Sequence, residues 1–173
     1  MDFFFLETAF EVIDLRSFSN LWFWIALAVA WSTASYWVVG VPFDMVRQVV
    51  RGDETALADL AALAGIHARR LVHIADVSGL LLTALAWFAG TALLVVGLVY
   101  RVEFAQALFL LGGPMSVVGW LNLRTAQHLL AHPPEAIPVL MIRHRRIVQA
   151  IGVVSIFVTA MWGMWKNLSA SVL

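Results

Sequence analysis

Two apolar runs separated by only four residues constrain this chain more than any other feature. Residues 77–99 form 23 positions without a charged side chain, residues 104–123 form 20 more, and only Tyr100, Arg101, Val102 and Glu103 lie between them. A helix needs roughly 20 apolar residues to cross about 30 Å of hydrocarbon, so each run is long enough to span a bilayer. Four residues cannot build a domain or re-enter the membrane. The pair therefore predicts antiparallel neighbouring spans, with Arg101 and Glu103 left at the headgroup layer.

The rest of the chain fits the same class. Of its 173 residues 62% are hydrophobic and 13% charged, with 8 Trp and 11 Phe, far from the balance of a soluble domain. Eleven basic residues offset eleven acidic ones, so no global field exists to attract nucleic acid. The absence of cysteine excludes disulfides, thiolate metal sites and cysteine-held iron–sulfur clusters.

Taken in order, Phe3, Leu6, Phe10 and Ile13 recur at helical spacing opposite Glu7, Glu11 and Asp14, which predicts an interfacial amphipathic helix over about 3–16 that is retained and is not a signal peptide. A first span is expected over about 19–40, with Trp22 and Trp24 at one interface and Tyr36 and Trp37 at the other. Ala26, Ala30 and Ala34 make a small-residue stripe along it that suits helix packing. Residues 41–76 read as a connector with two short helices, the second capped by Asp53 and continuing into the second span. Gly112, Gly113 and Pro114 fall mid-way along the third span and predict a kink or a short unwound segment. That helix should run on to His132, stop at Pro133 and Pro134, and lead through a short basic connector into a fourth span over about 147–165.

The expected architecture is thus an all-α integral membrane protein forming one membrane domain of four transmembrane helices, an N-terminal interfacial helix and short connector helices. Basic residues alternate along it: Arg16 before the first span, Arg47, Arg51, Arg69 and Arg70 after it, Arg101 in the hairpin turn, Arg124, Arg143, Arg145 and Arg146 in the third connector, and Lys166 after the last span. By the positive-inside rule connectors 41–76 and 124–146 are cytoplasmic and both termini periplasmic, in a bacterial inner membrane.

The chemistry expected of such a chain is sparse. No ionisable side chain lies within the four apolar cores, whereas pumps and ion carriers keep one there. No phosphate loop, nucleophile elbow or zinc-protease helix occurs. All five histidines, His67, His73, His128, His132 and His144, fall on the inferred cytoplasmic side, and the four-residue spacing of His128 and His132 could hold a metal, a haem or a quinone headgroup. Histidines at the interfacial ends of helices are the plainer explanation, and no cofactor is expected.

Residues 16–35, the segment Gly40-Val41-Pro42-Phe43-Asp44-Met45, the segment Val102-Glu103-Phe104-Ala105-Gln106-Ala107 and residues 154–164 together resemble a family of short four-span alphaproteobacterial membrane proteins often labelled "component of SufBCD complex". That resemblance covers nearly the whole chain and implies a link to iron–sulfur assembly; without cysteine or a nucleotide motif, it implies a membrane partner of that machinery. In size and helix count the chain is also similar to the small permease subunits of tripartite ATP-independent periplasmic transporters. The expected function is a non-catalytic accessory, scaffold or assembly subunit of a larger membrane complex, respiratory or photosynthetic among the candidates, whose partners are other integral membrane subunits, lipids and a quinone. The rival expectation is a small permease-type transport subunit, or a quinone or lipid passage built around the broken third span.

Overall fold

The computed structural model describes residues 17–171; the amphipathic helix expected over 3–16 lies outside them. A short 3-10 turn, Ser17–Ser19, leads into α1, Leu21–Tyr36, whose first turn is capped by the Asn20 side chain accepting from the Trp22 amide at 3.0 Å. The next residues, expected simply to end the helix, instead form a two-rung antiparallel hairpin, β1 Trp37–Val38 and β2 Val41–Pro42. Its turn residues Val39 and Gly40 have φ of 52° and 80°, the all-positive combination of a type I′ turn. Glycine accepts this freely, while the β-branched Val39 is strained and is held by burial.

Helix α2, Phe43–Val50, follows directly, and a turn through Gly52 leads to α3, Glu54–Leu98. Asp53 caps α3 as expected, accepting from the amides of Thr55 and Ala56 at 3.1 and 3.3 Å. These contacts hold its carboxyl below the usual carboxylate range, the Thr55 hydroxyl contributing most. The later part of the connector and the second apolar run are one helix of 45 residues, about 68 Å long, more than twice the thickness of a hydrocarbon core.

Helix α4, Glu103–Ala131, returns antiparallel after the short turn at Val99–Val102. Its helical pattern continues through Pro114, so the unwound segment expected there does not form. Pro133 and Pro134 stop it as expected, and after a 3-10 turn over Pro134–Ala136 the last helix, α5, runs from Ile137–Ser171. The basic stretch expected as a connector is therefore the first three turns of α5.

The described residues are all-α but for the small hairpin, and three helices, Thr55–Leu98, Glu103–Ala131 and Pro134–Ser169, are long and apolar enough to cross a membrane. Helix α1 is as apolar but has 16 residues, about 24 Å. The larger buried cluster sits at the connector end, where Val38, Val41 and Val46 meet Leu60, Ala64, Leu129 and Met141. A smaller one, Leu27, Trp31, Val118 and Val148, joins α1, α4 and α5 further along. This is the distribution expected if water drives burial at one end while lipid surrounds the rest.

Candidate functional site

Inside the apolar region, close approach depends on glycines set against rings. A Cβ on Gly152 would stand 2.8 Å from Cε3 of Trp31, and one on Gly163 would stand 3.2 Å from Cδ1 of Phe18, so α5 presents two seats for aromatic side chains. The Trp24 indole donates to the Phe18 carbonyl at 3.2 Å and the Ser19 hydroxyl donates to Asn167 Oδ1 at 2.9 Å. The start of α1 is thereby fixed beside the C-terminal turns of α5, while its far end enters the connector cluster through Val38 and Val39.

The face of α1 that packs is Trp24, Leu27, Trp31 and Ala34. Of the alanine stripe, Ala26 is exposed, Ala30 is half-buried and Ala34 joins the core cluster. Gly112 and Gly113 are half-buried, yet a Cβ on either would meet nothing within 4 Å. Pro114 deprives the Leu110 carbonyl of its helical donor, and the Ser155 hydroxyl of α5 approaches that oxygen at 3.5 Å. Nearer the hairpin turn, buried Gln106 links three helices: its amide nitrogen donates to the Gly97 carbonyl at 2.6 Å and its amide oxygen accepts from the Trp162 indole at 3.0 Å. The Gly97 carbonyl belongs to the last turn of α3, which has no helical donor of its own.

The middle of α3 stands apart from all this. Residues 80–89 are ten consecutive exposed positions, including Leu80 at 88% and Trp87 and Phe88 at 74% each. Ten residues make nearly three turns, so no azimuth of the helix is buried there. None of the most apolar 18-residue window of α3 is buried.

At the opposite end, the structure brings three of the five histidines to one cleft of about 370 Å³ between α4 and α5, lined by His128, His132 and His144 with Arg124, Arg143 and Thr125. His67 packs instead against Gly40, and His73 is exposed on α3. His132 Nδ1 lies 2.8 Å from the His128 carbonyl, so it caps the end of α4 by donating a hydrogen bond, and both rings are exposed. No group of three metal-ligating side chains occurs among the described residues. His144, not singled out by spacing, is the unusual member. It is 2% exposed, its Nδ1 lies 2.8 Å from the Thr125 hydroxyl, and its Nε2 has no partner. It lies three residues before the charge-free run, and burial pushes its pKa down to about 4, so the ring is neutral at physiological pH. Arg124 stacks over Trp120 at 4.3 Å, and no carboxylate lies within ion-pair distance of Arg124 or Arg143 among the described residues.

Comparison with protein-family models, with curated proteins and with solved structures finds no match to this chain.

Proposed function

We propose that this chain is a non-catalytic accessory subunit of a larger membrane complex, and that α3 is its docking element. The observation that carries the reading is the middle of α3, apolar around its circumference and exposed at every position over residues 80–89. A span at the edge of a self-sufficient bundle covers one face with its own chain; this one leaves all its faces to lipid and to other subunits. Small residues Ala86 and Gly90 lie four apart on it and suit the close approach of another helix. The histidine–arginine cleft does not carry a catalytic reading, because no carboxylate lines it to orient an imidazole and its one hydroxyl, Thr125, is buried against His144.

In the same reading the chain has four spans in a bacterial inner membrane, with connectors cytoplasmic and termini periplasmic. Two observations support a fourth crossing by α1 despite its 16 residues: its start is hydrogen-bonded to the C-terminal turns of α5, and its end is packed in the connector cluster. Cysteine accessibility in intact cells tests this. Labelling at Asn20 from the periplasm and at Gly52 only after permeabilisation fits four spans; labelling of both only after permeabilisation removes the first crossing.

Purification in mild detergent with mass spectrometry tests the function. A stoichiometric integral membrane partner is the expected result, with iron–sulfur assembly proteins the first to look for given the resemblance noted above; a solitary chain would overturn the proposal. The second reading, a passage for quinone or lipid tails, draws on a groove of about 520 Å³ lined by Phe109, Leu110, Gly113, Pro114, Ile151 and Val154, which is almost wholly apolar. Quinone recovered in organic extracts of the purified chain, and absent after Gly113→Leu, would favour it.

A further inference from the structure

Four arginines line one cleft where α2 meets α5, two of them over the same aromatic ring. Phe43 opens α2, Arg47 lies one turn on and Arg51 follows the helix, while α5 supplies Arg145 and Arg146. The Arg145 guanidinium lies 3.9 Å from the centre of the Phe43 ring and that of Arg47 lies 5.7 Å from it. These residues and the exposed Val50 line a cleft of about 390 Å³. One carboxylate answers four cations: Asp44 reaches Arg47 at 4.0 Å, and no other ion pair occurs among the described residues. Burial, then the neighbouring Arg47 charge, holds the Arg145 guanidinium below its usual range. Clustered guanidiniums without counter-charges repel one another, and a bound anion relieves that repulsion.

The chemistry of the cleft selects the anion. Guanidinium forks match the paired oxygens of a phosphate better than a point charge does. The cleft also has a defined level: Arg146 immediately precedes Ile147, the first residue of the charge-free run. Charged groups line it, with Val50 and Ile142 alongside as an apolar wall. We propose that this cleft holds the phosphodiester headgroup of an anionic phospholipid, with Arg47, Arg51, Arg145 and Arg146 around the phosphate and the acyl chains leaving over Val50 and Ile142. The proposal rests on the membrane reading above. It adds a lipid that is bound at one site, and it is independent of whether a protein partner exists.

The test compares the wild-type chain with an Arg51→Gln, Arg146→Gln double variant, whose two positions are exposed and carry no packing role. The control is Arg69→Gln with Arg70→Gln, also exposed and equal in charge removed. Each protein is extracted from the membrane pellet, stripped of lipid, and its melting temperature followed with added phosphatidylglycerol, phosphatidylcholine or inorganic phosphate. Phosphatidylglycerol alone should raise the melting temperature of wild type and control, and the half-saturating concentration should rise about five-fold per arginine removed, roughly 25-fold in the double variant. Equal effects of phosphatidylcholine, equal effects of inorganic phosphate, or an unchanged double variant would each overturn the headgroup site. A wild-type chain found in the soluble fraction would instead overturn the membrane reading, which separates the two failures.

Discussion

Gly152→Ala should weaken the packing of α1 on α5, whereas Gly119→Ala should not weaken the chain at all. A Cβ on Gly152 would lie 2.8, 3.2 and 3.4 Å from three carbons of the Trp31 ring, where ordinary carbon contacts begin near 3.5 Å. The ring cannot swing aside, because it is 4% exposed and packed among Leu27, Val118 and Val148. The helices must therefore separate by several tenths of an ångström. Overpacking of this kind costs about 1–3 kcal/mol, and the better helix propensity of alanine offsets about 1 kcal/mol, leaving a net loss of up to about 2 kcal/mol. At Gly119 a Cβ meets nothing within 4 Å, so only the propensity gain of about 1 kcal/mol applies. Unfolding by SDS titration in mixed micelles measures both, and Trp31→Leu should make Gly152→Ala cheaper by about 1 kcal/mol or more in a double-mutant cycle. If Gly152→Ala stabilised the chain as much as Gly119→Ala, the ring-in-seat account of this interface would be wrong.

Gln106→Leu should cost about 1–2 kcal/mol in the same assay, since it strands the Gly97 carbonyl and the Trp162 indole together, and loss of only a few tenths would show the three-helix link to be incidental. Stability should fall as pH drops from about 6.5 towards 4, because the unfolded chain protonates His144 in that window while the buried ring, with its pKa near 4, stays neutral; the loss should reach on the order of 2–3 kcal/mol and His144→Gln should flatten that part of the profile. His128→Ala with His132→Ala should leave recovery of the partner complex unchanged, because both rings lie at the end of α4 and outside the exposed middle of α3, and co-purification of the double variant checks it.

What was legible in the sequence is what apolar run length and local backbone geometry dictate. The charge-free runs 77–99 and 104–123, four residues apart, pointed to paired helices, and the structure has them as an antiparallel helix pair around a short turn. Asp53 and the Pro133-Pro134 pair act through their own backbones, so their roles as cap and stop needed no tertiary information. Faces were not legible. A helix that is apolar all round gives no periodic sign of its inward side, and Trp24, Leu27 and Trp31 pack where Ala26 and Ala30 had been the natural expectation. Gly152 and Gly163 gave no local signal, because a glycine that admits a ring differs from one in open space only through its partner on another helix. The basic stretch 137–146 looks like a connector by charge and is a helix by packing: His144, Met141 and Ile137 turn inward while Arg143 and Arg146 remain exposed. The buried histidine was hidden by the same ambiguity.

The central claim is that another polypeptide covers the middle of α3, and site-specific photo-crosslinking in native membranes tests it most directly. A photoreactive residue at Leu85 or Trp87, both exposed on α3, should yield one discrete adduct with an integral membrane protein, and the same residue at Asp59 on the connector half of α3 should not yield that adduct. Adducts with lipid alone from every position along 80–89, in membranes where the chain is expressed at its natural level, would contradict the account.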